Sequence, residues 1–98
     1  MAYKITKPIG EVLSSPSKLG IVLSLKRGQK SFTEIQRELD MTSGNLNYFL
    51  IRLKSDGILD RTDEEKYALT SGGKTIADLV TDVLKESEKL RESGKLPG

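Results

Sequence analysis

Histidine and cysteine are both missing from this chain of 98 residues. Their absence removes disulfides, thiol redox switches, thiolate or imidazole metal sites and imidazole general bases. No metal and no cofactor is expected. No catalytic residue is expected either, because a nucleophile with its base cannot be assembled from what remains. Carboxylates such as Asp78 and Asp82, four apart, read as one solvated helix face. Tryptophan is absent too, and the five aromatics are Tyr3, Phe32, Tyr48, Phe49 and Tyr67, so aliphatic side chains must carry the core. Long apolar runs are lacking: nothing approaches the roughly 18 residues that span a bilayer, and Met1 to Ile5 has no signal-peptide core. A cytoplasmic chain without a membrane partner is expected.

What is present is charge, unevenly placed. Sixteen basic and fourteen acidic residues give a net +2, too little to identify a polyanion partner alone. Residues 1–57 hold nine basic against five acidic groups, and residues 58–98 hold seven against nine. The excess of positive charge therefore belongs to the first half. The length suits one domain with one modest core.

Local signals divide the chain into short helices and a hairpin. A brief extended lead covers Tyr3 to Lys7. Pro8 opens a short helix with Ile9, Val12 and Leu13 on one edge, and Ser15-Pro16 starts a second that Gly28 closes. On that second helix Ile21, Val22 and Leu25 fall together while Leu19 and Leu23 turn away, which predicts cover on both sides. Gln29 to Phe32 reads as a connector or very short strand. Thr33 and Gln36 then have the spacing of a capping box, with Ile35 and Leu39 one turn apart behind it. Asp40-Met41 makes a turn, Met41 plugging the angle between two helices.

The next helix runs from its cap Thr42 to Ser55 or Asp56, with Gly57 as a left-handed stop. Leu46, Phe49, Leu50 and Leu53 recur at helical spacing and predict one buried stripe. The other side holds Gly44, Asn47, Tyr48, Ile51, Arg52 and Ser55, a face that donates, accepts and stacks. Two helices joined by a tight turn in this way make a helix-turn-helix. Ile58 to Arg61 and Lys66 to Leu69 are strand-like runs around the polar Thr62-Asp63-Glu64-Glu65, which is hairpin chemistry. Thr70 caps a last helix whose glycines, Gly72 and Gly73, suit a close backbone approach. Its period runs to about Arg91, longer than this small domain needs, so part of it should project. Residues 1–92 read as one domain and Ser93 to Gly98 as a disordered tail.

The runs Ser15-Pro16-Ser17-Lys18-Leu19-Gly20-Ile21-Val22-Leu23, Ser31-Phe32-Thr33-Glu34-Ile35, Asn45-Leu46-Asn47-Tyr48-Phe49-Leu50, Leu53-Lys54-Ser55-Asp56-Gly57-Ile58-Leu59 and Tyr67-Ala68-Leu69-Thr70-Ser71-Gly72-Gly73-Lys74 together resemble the small winged-helix DNA-binding domains of the ArsR and MarR type. The resemblance implies a mainly α (α+β) fold, a winged helix-turn-helix with a short β-hairpin wing and a long C-terminal dimerisation helix. It also implies a homodimeric transcriptional regulator whose partners are double-stranded DNA and a second copy of itself. The recognition helix would span residues 42–55 and present Ser43, Gly44, Asn45, Asn47, Tyr48 and Arg52 to the major groove, amides suiting adenine and Arg suiting guanine or phosphate. Asn45 has a competing use in capping. Ile51 suits either a thymine methyl or packing against the wing or a partner chain.

Phosphate contacts are expected from Lys30, Arg37, Lys54, Arg61 and Lys66. The wing tip, Asp63-Glu64-Glu65, departs from the basic tips that meet DNA. It leaves open a second reading, a winged-helix module for protein–protein interaction with little DNA affinity. On the last helix Ile76, Val80, Val83, Ser87 and Leu90 are spaced like the seam of a short coiled coil. Leu79, Val80, Val83, Leu84, Ser87 and Leu90 are therefore the expected dimer interface. Small apolar effectors remain compatible with the composition, and no polar cluster names one.

Overall fold

The computed structural model describes residues 9–94, with side chains described through residue 88. The expected lead at 3–7, Pro8 and residues 95–98 of the expected tail lie outside that range. Five helices and one hairpin follow in order: α1 over residues 9–14, α2 Pro16–Lys26, α3 Phe32–Leu39, α4 Ser43–Ser55, β1 Leu59–Arg61, β2 Tyr67–Leu69 and α5 Ser71–Gly94. The helices enclose a single core of Val12, Ile21, Val22, Leu25, Ile35, Leu46, Leu50, Leu53, Ile58, Leu59, Leu69, Ile76, Ala77 and Val80. Every element contributes to it, and all of its members are aliphatic. No described helix is long and apolar enough to cross a membrane.

Caps set most of the boundaries. The Ser15 hydroxyl accepts from the Lys18 amide at the start of α2, with Pro16 at its first position. Gly28 and Gly57 take the positive φ values, 141° and 77°, that end α2 and α4. The box at the start of α3 is displaced from the one expected. Ser31, not Thr33, is the cap: its hydroxyl accepts from the Glu34 amide while the Glu34 carboxylate accepts from the Ser31 amide. A carboxylate there also meets the positive end of the helix dipole, which the neutral Gln36 would not. These hydrogen bonds hold the Glu34 carboxyl below its usual range, the Ser31 amide contributing most.

The hairpin is antiparallel, Leu59 facing Leu69, Asp60 facing Ala68 and Arg61 facing Tyr67. Lys30 adds an antiparallel bridge to the far side of Tyr67, its amide donating to the Tyr67 carbonyl at 3.0 Å and its carbonyl accepting from the Tyr67 amide at 2.7 Å. The connector after α2 thus pairs with the outer edge of β2 through one bridge.

At the other end of β2, the Thr70 hydroxyl accepts from the Gly73 amide at 2.9 Å and caps α5. Gly73 is required here by space, since a Cβ would stand 1.9 Å from the Ile58 carbonyl oxygen. α5 is anchored along its first half by Ile76, Ala77 and Val80, with Leu84 packed partly against the same core. Lys26 reaches across from α2 to donate to the Thr81 hydroxyl at 2.8 Å and pair with Asp78 at 3.4 Å. From Lys85 to Glu88 every side chain is exposed, so the helix leaves the domain as its length predicts. The helical backbone continues to Gly94 rather than stopping near Arg91. Nothing in Glu92-Ser93 breaks a helix.

Candidate nucleic-acid interface

Two helices and their turn fix the candidate surface. Asp40 adopts a left-handed conformation, φ 52°, and the following Met41 amide donates to the Gln36 carbonyl. Aspartate tolerates that conformation better than most residues. The chain is swung there into α4, with Met41 packed partly buried in the angle. α4 begins where the Thr42 hydroxyl accepts from the Asn45 amide at 3.2 Å. Only the backbone of Asn45 is used in this cap, and its side chain stays exposed.

Leu46, Leu50 and Leu53 are buried, and Phe49 is half-buried beside them. Opposite them Ser43, Gly44, Asn45, Asn47, Tyr48, Ile51 and Arg52 are all exposed. Tyr48 is 56% and Ile51 59% exposed, and the Tyr48 ring meets the edge of Phe49 with centroids 5.1 Å apart. Among the described residues the side chains of Asn45 and Asn47 make no hydrogen bond and Arg52 makes no salt bridge. These groups are available to an external partner. α4 contains no acidic residue, and Arg52 and Lys54 sit in its last turn.

One residue of this surface was not expected from sequence. The Gln36 side-chain amide donates to the Ser43 hydroxyl at 2.9 Å, joining α3 to the first turn of α4. Gln36 had a local explanation as half of a capping box, which concealed its part in aligning the two helices.

The five expected phosphate contacts are not equivalent. Lys30 is withdrawn from the set. Its ammonium donates to the Ser24 hydroxyl at 3.0 Å and to the Glu38 carboxylate, and its side chain is only 19% exposed. Arg27 pairs with the same carboxylate, and the buried Ser24 donates to it as well. Lys30 chiefly, with Ser24 and Arg27, holds the Glu38 carboxyl below its usual range. Lys54 lies 3.8 Å from Asp60 in an exposed pair that an anion can compete for. Arg61 stacks over Tyr67 at 5.5 Å. Arg37 and Lys66 make no salt bridge among the described residues.

The wing tip carries its acids outward. Asp63, Glu64 and Glu65 are exposed, and the loop is closed by the Thr62 hydroxyl, which accepts from the Glu64 and Lys66 amides at 3.2 Å each.

The expected dimer surface divides likewise. Leu79 and Val83 are 38% and 43% exposed and Ser87 is exposed, whereas Val80 is fully buried in its own core. The helical period sets Val80 one turn after Ile76 and beside Ala77, so it leaves the interface. Leu84 is shared with the core, and the side chain of Leu90 lies outside the described range.

Comparison with known proteins agrees with this architecture. Residues 6–87 match the family described as "Methanogenesis regulatory protein FilR1, N-terminal domain". An HTH-type transcriptional regulator of Methanocaldococcus jannaschii is 30% identical over 91 residues, covering 88% of this chain and 84% of that protein. Among solved structures, the transcriptional repressor BigR of Xylella fastidiosa superposes with a TM-score of 0.69 at 25% identity, covering 82% of this chain and 83% of that one. A homodimeric winged helix-turn-helix DNA-binding domain of Mycobacterium bovis, a possible ArsR-family regulator, gives 0.75 at 21% identity over 94% of this chain and 86% of that one. The winged helix-turn-helix fold expected from the sequence is borne out.

Proposed function

The chain belongs to the family of the N-terminal domain of the methanogenesis regulatory protein FilR1, and on that premise we propose that it regulates transcription by binding specific duplex DNA as a homodimer. The single observation that carries this reading is the outer face of α4. It is exposed, free of acids, and furnished with unpaired amides and a guanidinium. Such a helix can lie in a major groove, Asn45, Asn47, Tyr48 and Arg52 facing base edges while Ser43 and Gly44 sit at the end that enters most deeply. Arg37, Lys54, Arg61 and Lys66 are the cations for the flanking phosphates, which position the domain without reading sequence.

The second copy supplies the second reading helix. Half-sites one turn of DNA apart, about 34 Å, need two such helices held by one rigid body. The apolar pair Leu79 and Val83 on α5, continued by Ser87, is the surface for that two-fold contact. A homodimeric domain of the same fold is consistent with this arrangement.

Binding of the purified protein to sheared genomic duplex across a salt series tests the reading. A subset of fragments should be retained as salt rises while the rest are lost together. Equal loss of all fragments, or no binding at low salt, would overturn it. That result would favour a protein-interaction module, the use to which the acidic wing tip is better suited.

A further inference from the structure

We infer that the half-site read by α4 is built on A·T base pairs, and that exposed Ile51, with Tyr48 beside it, packs against thymine C5-methyl groups in the major groove. The inference rests on the DNA-binding reading above and specifies its target. Gly44, Tyr48, Ile51 and Ser55 run along α4 at spacings of four, three and four. This line stands opposite the buried Leu46, Leu50 and Leu53, so it is the part of the helix that approaches a ligand first. Its centre is apolar. Tyr48 and Ile51 are the most exposed large apolar side chains of the described protein. A β-branched residue is a poor choice for a solvated helix face, and among the described residues nothing covers this one.

Gly44 gives an independent sign that something comes close. It lies in the first turn of α4 without a positive φ, and a Cβ there would meet nothing within 4 Å. Among the described residues nothing requires its lack of a side chain. A partner that presses against the backbone does.

The polar groups flanking this line say which partner. Asn45 and Asn47 can each pair with N6 and N7 of adenine, whereas Arg52 suits guanine and Lys54, the helix's other cation, is paired with Asp60. The helix has no Asp or Glu to accept from the cytosine amino group. Two adenine readers, an aliphatic surface for thymine methyls, one guanine reader and no cytosine reader describe an A·T-rich site. The same charges argue against an apolar protein surface as the occupant, since cations without acids complement a polyanion.

Selection from a randomised duplex library with the purified protein, followed by replacement of thymidine by deoxyuridine in the selected duplex, tests this. The replacement removes the methyl and preserves pairing and phosphates. Selected half-sites should be A·T-rich, and each contacted methyl removed should lower affinity about fourfold, the effect of one buried methylene-sized group. Ile51→Ala should melt like the parent yet lose most of that sensitivity, while Asn47→Ala should keep it. Selected sites rich in G·C, indifference of the parent to deoxyuridine, or an Ile51→Ala variant as methyl-sensitive as the parent would overturn the inference and leave specific DNA binding standing. Failure to select any sequence would overturn the DNA-binding reading itself, and this inference with it.

Discussion

α4 and α5 are built alike and differ in what surrounds the part they leave uncovered. Each sets an aliphatic stripe into the common core, Leu46, Leu50 and Leu53 on one and Ile76, Ala77 and Val80 on the other. Each also exposes a pair of large apolar residues, Tyr48 with Ile51 and Leu79 with Val83. Around the first pair stand amides, serine hydroxyls and cations, with no acid in the helix. Around the second stand Asp78, Asp82, Lys85 and Glu86, charges of both signs. Exposed apolar area by itself marks a binding surface without naming its partner. The flanking charge separates the two: one sign alone complements a polyanion, and mixed signs suit another protein surface, which in the function proposed above is a second copy.

The comparison can be broken most severely at the buried stripe. Leu50→Ala should destabilise the domain by about 2–5 kcal/mol, because it empties a closely packed site. Thermal or urea denaturation measures it, and an unchanged midpoint would mean that the two faces of α4 are assigned the wrong way round. On α5 the exposed pair is the target. Leu79→Glu with Val83→Glu should convert a dimer of 10.8 kDa chains into a monomer in sedimentation equilibrium while the far-ultraviolet circular dichroism stays native. A mass independent of these substitutions would separate Leu79 and Val83 from dimerisation.

A smaller effect is expected on the outer face of α4. Asn47→Ala or Tyr48→Ala should cost about 1–3 kcal/mol of specific DNA binding without moving the melting temperature. Titration of the selected site measures it, and parental affinity would remove the residue from the interface. The wing sharpens the contrast further. Glu64→Lys with Glu65→Lys should steepen the dependence of log K on log salt by about 0.9 for each phosphate newly contacted. An unchanged slope would place the tip away from the duplex.

The smallest effect concerns acid. Glu34 and Glu38 hold their carboxyls below the usual range in the folded state. The native protein therefore binds fewer protons than the unfolded chain there. The stability they contribute is present at neutral pH and is lost as the pH falls through the carboxylate range to the depressed folded values. Glu38→Gln should flatten that acid decline slightly, the groups being largely solvent-screened. Urea midpoints across acid pH check the sign, and an identical profile would deny Glu38 any part in it.

The amino-acid sequence by itself determined the order of the elements, because the signals for them are local. Thr42 needs only the amide three residues on, Gly28 and Gly57 need only their own φ, and a leucine stripe needs only helical period. The same locality explains what could be misassigned. Ser31 with Glu34 and Thr33 with Gln36 have equal spacing, and only the folded chain shows the carboxylate taking the helix end while Gln36 turns to Ser43. Tertiary structure alone decided how the charges and apolar groups were spent. Lys30 was legible as a cation, but its partners Ser24 and Glu38 come from the two helices on either side of its connector. Val80 and Val83 share one periodic pattern, and the position of the core across α5 buries the first and exposes the second. A side chain's type is written in the sequence, whereas the neighbours that occupy it are gathered by the packing of one element against another.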